Sequence, residues 1–220
     1  ENERPMHVYY ATQFVLPLPE GHRFPMEKYR MLRDALAQMP GITLGQAEPA
    51  LDDALELVHT PLYVQGIAHG TLAASLYREI GFPWSTAMAE RARRSVGASL
   101  AAARSAQAQG LAANIAGGTH HAYADKGSGF CVFNDFAVAA RTVQQAHAVA
   151  GGPDKLPIAI IDLDVHQGNG TAHIFQSDAS VFTLSIHGEK NFPFRKEAST
   201  LDLGLADGTG DTEYLQALEH

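Results

Sequence analysis

The stretch Ile158–Gly170, IAIIDLDVHQGNG, limits what this chain can fold into more than any other. It opens as an aliphatic run that should be a deeply buried strand. Where the run ends it carries two aspartates and a histidine. On a regular strand side chains alternate faces with a period of two, so Asp162, Asp164 and His166 would project to one side. Two carboxylates held that close repel, and a buried charge without a partner is costly. A cation must offset them. Asp with His suits a divalent metal such as zinc, and an Asp-x-His pair supplies two ligands from one strand end. An aspartate capping a turn beside a structural histidine would explain one such residue, but not three in register. Gly168, Asn169 and Gly170 then supply a tight turn, in which positive φ is expected.

The rest of the chain alternates strand and helix patterns. HVYYATQF reads as a first strand, and GHRFPMEKYRMLRDALAQMPG as a turn and a helix closed by Pro40–Gly41. DDALELVHTPLYVQGIAHG is helical with a break before Pro61. Ser85 can cap a long alanine-rich helix that stops at Gly110. LAANIAGG, LPIAIIDLDVH and VFTLSIH read as strands, with helices at DFAVAARTVQQAHAVAGG and GNGTAHIF. At the far end Thr212 could cap a helix with Leu215 and Leu218 on one face. This order predicts a three-layer α/β fold, a mostly parallel sheet with helices on both faces. In such sheets functional groups gather beyond the carboxyl ends of strands. Here three strands end in polar residues: Thr119–His120–His121, Asp164 with His166, and His187.

Size and charge narrow the class. The 220 residues, 45% hydrophobic, suffice for one sizeable α/β domain. A net charge of -8 gives no electrostatic footprint for nucleic acid or an anionic membrane, and leaves a cationic peptide or amine as a comfortable substrate. A single cysteine, Cys131, rules out an internal disulfide framework and fits a reducing compartment. The first residues do not form a signal peptide, and no apolar run approaches the roughly 20 residues that span a bilayer. A soluble, cytoplasmic protein is expected. The chain starts without methionine and stops inside a helical pattern, so more polypeptide is expected to follow.

Two further motifs carry chemistry. GGTHHA places adjacent histidines after a buried strand and a Gly-Gly turn. Neighbouring side chains point in different directions and can do different jobs, and imidazole titrates near 6.5, where it can act as base or acid. SGFCVFND places Gly129–Phe130 on a loop, and NFPF places Phe192 on the same edge, where each could wall a narrow pocket.

In this order and spacing, GGTHHA, GSGFCVFND, IDLDVHQGNGT and LSIH resemble the zinc-dependent histone deacetylase family, and the wording of GHRFP, IGFPWS and DLDVHQGNG is similar to its bacterial, class IV-like branch. The resemblance runs from Gly21 to the C-terminus. It implies an arginase/deacetylase-like fold and one catalytic domain over 1–220, the N-terminal portion of a longer enzyme. It implies hydrolysis of N-acetyl-lysine in proteins, or of an acetylated amine, by metal-activated water. Asp164 and His166 would ligate zinc. His120 and His121 would be the tandem acid–base histidines, Asp162 holding His120 and Asn169 orienting His121. Gly129, Phe130 and Phe192 would line the acyl-lysine tunnel. Potassium would bind near the metal through Asp162, Asp164, His166, Ser185 and the Ile186 carbonyl, and at a second site through the Phe175 and Val181 carbonyls. The family's third zinc ligand, another aspartate, and its catalytic tyrosine cannot be placed within these residues.

Two rivals remain. A di-manganese ureohydrolase would need D-x-H-x-D, and Gly168 stands where the second carboxylate belongs. A non-catalytic module binding acyl-lysine or a partner would also fit a chain that lacks the third ligand and the tyrosine.

Overall fold

The computed structural model describes residues 5–11, 16, 18–152 and 155–219. Among the described residues six strands and eight helices follow in the order β1 (Met6–Tyr10), α1 (Glu27–Leu36), β2 (Ile42–Gln46), α2 (Asp52–Leu55), α3 (Pro61–His69), α4 (Ala74–Ile80), α5 (Thr86–Gln109), β3 (Ala112–Asn114), α6 (Asp135–Val149), β4 (Ile158–Asp162), α7 (Asn169–Phe175), β5 (Val181–Gly188), β6 (Leu201–Leu205) and α8 (Asp211–Leu218). Every strand pairing is parallel, as a chain that interleaves strands and helices requires. The strands form two three-stranded sheets, ordered β2-β1-β3 and β4-β5-β6.

Local signals set the helix limits. The Ser85 hydroxyl accepts from the Met88 N–H at 3.1 Å and starts α5, and Gly110, at φ 94°, ends it. Thr60 caps α3, with Pro61 in the first turn where its missing N–H costs nothing. α8 departs from expectation. Gly210, not Thr212, stands at its N-cap, and the Glu213 carboxylate accepts from the Gly210 N–H at 3.0 Å.

Strands β2 and β6 and helix α4 are additions to the sequence reading. Of the expected first strand, Thr12, Gln13 and Phe14 lie outside the described residues. The main core packs Leu55, Tyr63, Val64, Ile67, Ile80, Met88, Val96 and Phe133, drawn from α2 through α5 and the loop before α6. A smaller cluster joins Ala137 and Ala140 of α6 to Ile160, Phe175 and Val181.

The aliphatic run is not deeply buried throughout. Ile160 is buried, but Ile161 is 59% exposed. Among the described residues β4 has one strand neighbour, β5, and only its Ile160 face meets α6 and α7. An edge strand covered on one side hides alternate residues only.

Candidate active site

β4 ends at Asp162, and this changes how the acidic stretch works. The regular strand expected to align Asp162, Asp164 and His166 does not continue. Instead each aspartate folds back on the backbone two residues on. Asp162 Oδ1 accepts from the Asp164 N–H at 3.1 Å, and Asp164 Oδ1 accepts from the His166 N–H at 2.7 Å. Such Asx turns are the local alternative that aspartate offers to a ladder. They turn Leu163 and Val165 outward and bring Asp164 and His166 onto one cavity wall.

That cavity, of about 590 Å³, is also lined by His120, His121, Gly129, Phe130 and Phe192. A larger cleft of about 680 Å³ lies against α5 and the β2–α2 connection. No histidine or cysteine lines it, so the smaller cavity is the one that carries chemistry.

The tandem histidines have unlike partners. His120 Nδ1 lies 2.5 Å from Asp162 Oδ2, and His121 Nδ1 lies 2.7 Å from Asn169 Oδ1. Both rings are buried, with centroids 4.1 Å apart. Burial opposes charge on His120, but the hydrogen bond and charge of Asp162 overcome it and raise its pKa. Burial pushes His121 down to about 4, and the charge of His120 adds to the effect. The Phe192 ring stands edge-on to His121 at 5.0 Å. Phe130, at φ 65°, packs on Phe24 and Phe82, and Gly129, at φ 54°, would place a Cβ 2.6 Å from the His121 ring.

The glycines after His166 serve close approach, not the positive φ expected of them. Gly168 has φ -72°, and Gly170 is not among the positive-φ glycines. A Cβ on Gly168 would lie 2.2 Å from Asp162 Oδ2, and one on Gly170 2.3 Å from the Ala122 carbonyl oxygen. α7 is thereby pressed against the histidine turn, and its Thr171 N–H donates to the His120 carbonyl at 3.1 Å.

Two residues that sequence reasoning missed hold that turn from both sides. Asp135, fully buried, accepts from the Thr119 N–H at 2.8 Å, the Thr119 hydroxyl at 2.7 Å, the Gly118 N–H at 3.2 Å and the Ser99 hydroxyl at 2.5 Å. Asn134 caps α6 by accepting from the Ala137 N–H at 3.0 Å. Its Nδ2 donates to the Ala122 carbonyl at 3.1 Å and to the Thr171 hydroxyl at 3.0 Å. Asn134 also donates its own N–H to the buried His59 Nε2 at 3.0 Å. An asparagine just before a helical run is an N-cap signal, and it was the one available clue.

Asp164 Oδ1 and His166 Nδ1 are 2.9 Å apart on the cavity wall. A carboxylate oxygen and an imidazole nitrogen so placed fit two neighbouring positions around one zinc ion. Burial disfavours the Asp164 charge, but the His166 N–H and the charge of His120 hold its pKa low, so it stays an anion. Among the described residues no group of three or more His, Cys, Asp and Glu side chains is arranged to hold a metal. Of the residues expected around potassium, Ser185 is the register partner of Asp162, and Ile186 follows it on β5. Phe175 and Val181 flank the α7–β5 turn, whose Asp178 N–H donates to the Phe175 carbonyl at 2.9 Å.

Residues 22–220 match the family described as Histone deacetylase domain. The chain belongs to the histone deacetylase family. An uncharacterized protein of Picosynechococcus is 49% identical over 97% of this chain and 70% of its own length. The acetoin utilization protein AcuC of Bacillus subtilis is 34% identical over 87% of this chain and 51% of its own length. The crystal structure of a histone deacetylase homologue from Aquifex aeolicus superposes with a TM-score of 0.78 at 25% identity, over 98% of this chain and 63% of that one. The chain spans between 51% and 70% of the length of these relatives. Among the described residues no helix is long and apolar enough to cross a membrane.

Proposed function

We propose that the full-length protein hydrolyses an acyl-amide, N-acetyl-lysine in a protein or an acetylated amine, with zinc held in part by Asp164 and His166. The observation that carries this reading is the unlike pairing of two adjacent histidines over one cavity. His120 sits on a carboxylate and His121 on an amide.

When bound, zinc polarises an amide carbonyl and lowers the pKa of water toward about 7. The chain's own residues manage the protons. His121 donates from Nδ1 to Asn169, which leaves the Nε2 lone pair to take a proton. With a pKa of about 4, His121 is neutral at pH 7 and free to accept. His120, whose charged form Asp162 favours, stabilises negative charge that develops on the substrate oxygen. Either histidine, once protonated, can protonate the leaving amine. Phe192, Phe130 and Gly129 suit the aliphatic stem of a lysine or polyamine, since they wall the cavity with apolar surface beside the histidines. Potassium at Asp162, Asp164, His166, Ser185 and Ile186 would offset the carboxylate pair, and Phe175 and Val181 would hold a second potassium. The lone cysteine, Cys131, is buried and its thiol is pushed up to about 12, which fits a structural role in a cytoplasmic protein.

The test is turnover by full-length, zinc-replete protein on an acetyl-lysine peptide and on an acetylated polyamine. His121→Ala should lower kcat by roughly 10²–10⁴ and more than His120→Ala, with little change in KM. No turnover of either substrate by the metal-replete protein would overturn the reading. A larger loss in His120→Ala would reverse the two roles.

A further inference from the structure

Asn169 raises a question of direction. Its amide has a carbonyl end and an amino end of nearly the same shape. Only the carbonyl end leaves His121 with its proton on Nδ1 and a lone pair on Nε2. If the amide turned over, its amino group would face Nδ1, which would then have to accept. The proton would move to Nε2, and the base would face the cavity with no lone pair. An aspartate at this position would not meet the problem, because both its oxygens accept.

The residues behind Asn169 fix the direction. Asn169 Nδ2 donates to the Tyr123 hydroxyl oxygen at 2.9 Å. The Tyr123 hydroxyl has one proton, and it donates that proton to Glu197 Oε1 at 3.2 Å. An ionised carboxylate can only accept. The order therefore runs one way. Glu197 accepts the tyrosine's hydrogen bond, the tyrosine oxygen must accept, Asn169 presents its amino group there, and its carbonyl is left for His121 Nδ1 at 2.7 Å.

The far end of this relay is itself anchored. Gln167, 1% exposed, donates to the Glu197 carbonyl at 2.7 Å and accepts from the Glu197 N–H at 2.9 Å. The Tyr123 N–H donates to the Lys126 carbonyl at 2.8 Å, and the Lys126 ammonium lies 5.0 Å from the Tyr123 ring centroid. His173 Nδ1 lies 3.5 Å from the other Glu197 oxygen. Burial and then the charge of Glu197 push the Tyr123 hydroxyl up to about 12, so it keeps the proton it must donate.

We propose that Tyr123 and Glu197 are positioning residues, which orient the Asn169 amide and thereby set the tautomer of His121. The proposal rests on His121 as the general base. Its structural half, the tautomer, can be read without any catalysis.

Two measurements test it. The first is the nitrogen chemical shifts of the His121 ring at about pH 7 in the metal-free full-length protein. The unsubstituted protein should carry the proton on Nδ1 alone, and Tyr123→Phe should give a mixture of tautomers. The second is kinetic. Tyr123→Phe should lower kcat about tenfold with KM unchanged, and Glu197→Gln should do so less, because a glutamine oxygen can still accept. In an Asn169→Asp background the same two substitutions should lose their effect, because orientation no longer matters there. A tyrosine that merely supported the fold would cost as much in either background. Equal losses in both backgrounds, or an unchanged His121 tautomer in Tyr123→Phe, would overturn the relay. Full activity in His121→Ala would instead overturn the base assignment, and the chemical shifts would still decide the relay.

Discussion

Acidification tests how His59 is held. Its side chain is 1% exposed, against Tyr63 and Phe133 at 5.9 and 5.1 Å. Nε2 accepts the Asn134 N–H, so the ring proton sits on Nδ1. Nδ1 makes no hydrogen bond of good geometry. Burial pushes the pKa down to about 4, and the Tyr123 and Ala124 carbonyls oppose this only in part. The unfolded chain titrates near 6.5, so it binds the proton first as pH falls. Stability from a neutral His59 is complete above pH 6.5 and is lost as pH falls from there toward 4. By about pH 4.5 the loss is about 2–3 kcal/mol. His121 is depressed to about 4 as well, so the unsubstituted protein alone would not isolate His59. His59→Gln does, because its amide can accept the Asn134 N–H and does not titrate. Urea unfolding of both proteins at about pH 7.5 and about pH 4.5 gives the comparison. The unsubstituted protein should lose about 2–3 kcal/mol more than the variant. Equal losses would refute the claim that His59 is kept neutral by burial.

Gly170→Ala must move either α7 or the Ala122 carbonyl, both backbone, and should cost about 1–3 kcal/mol in urea unfolding together with much of the activity. Asp135→Asn replaces an acceptor of four hydrogen bonds by an amide whose amino group must face a donor, and should lower stability by about 2 kcal/mol or more. In the full-length protein, Asp164→Ala or His166→Ala should each abolish stoichiometric zinc. Elemental analysis checks this, and metal retained in both variants would remove these residues from the site.

What the sequence revealed was what neighbouring residues decide. Ser85, Pro61 and Gly110 mark helix ends through contacts a few residues away, and all three were legible. The strands that lead to Thr119–His120–His121 and to Asp164 with His166 were legible too, because aliphatic runs and their breaks are local; His187, expected on the same edge, lies within β5 and lines a different cavity. β2 and β6 were not: each is short, and ITLGQ becomes a strand by pairing along β1. The path after Asp162 also escaped, because a period of two assumes a strand that continues, whereas Asp162 and Asp164 each bond the backbone two residues on. The residues that hold the site, Asn134, Asp135, Tyr123, Glu197 and Gln167, meet their partners across as many as 75 positions of chain, and no pattern within a motif reports such a meeting.

The histidine turn follows β3 in the chain, yet it is carried mechanically by α6. Asn134 and Asp135 open that helix and grip the turn on both sides, while the histidines' own partners ride on other elements, Asp162 on β4 and Asn169 on α7. Alignment of the two rings with their partners is therefore a measure of how α6 sits against α5 and α7. A bulky substitution at Ala140, buried within α6 and outside every motif, would slide the helix and pull both imidazoles out of register together, so the chemistry of this cavity answers to packing on its hidden side.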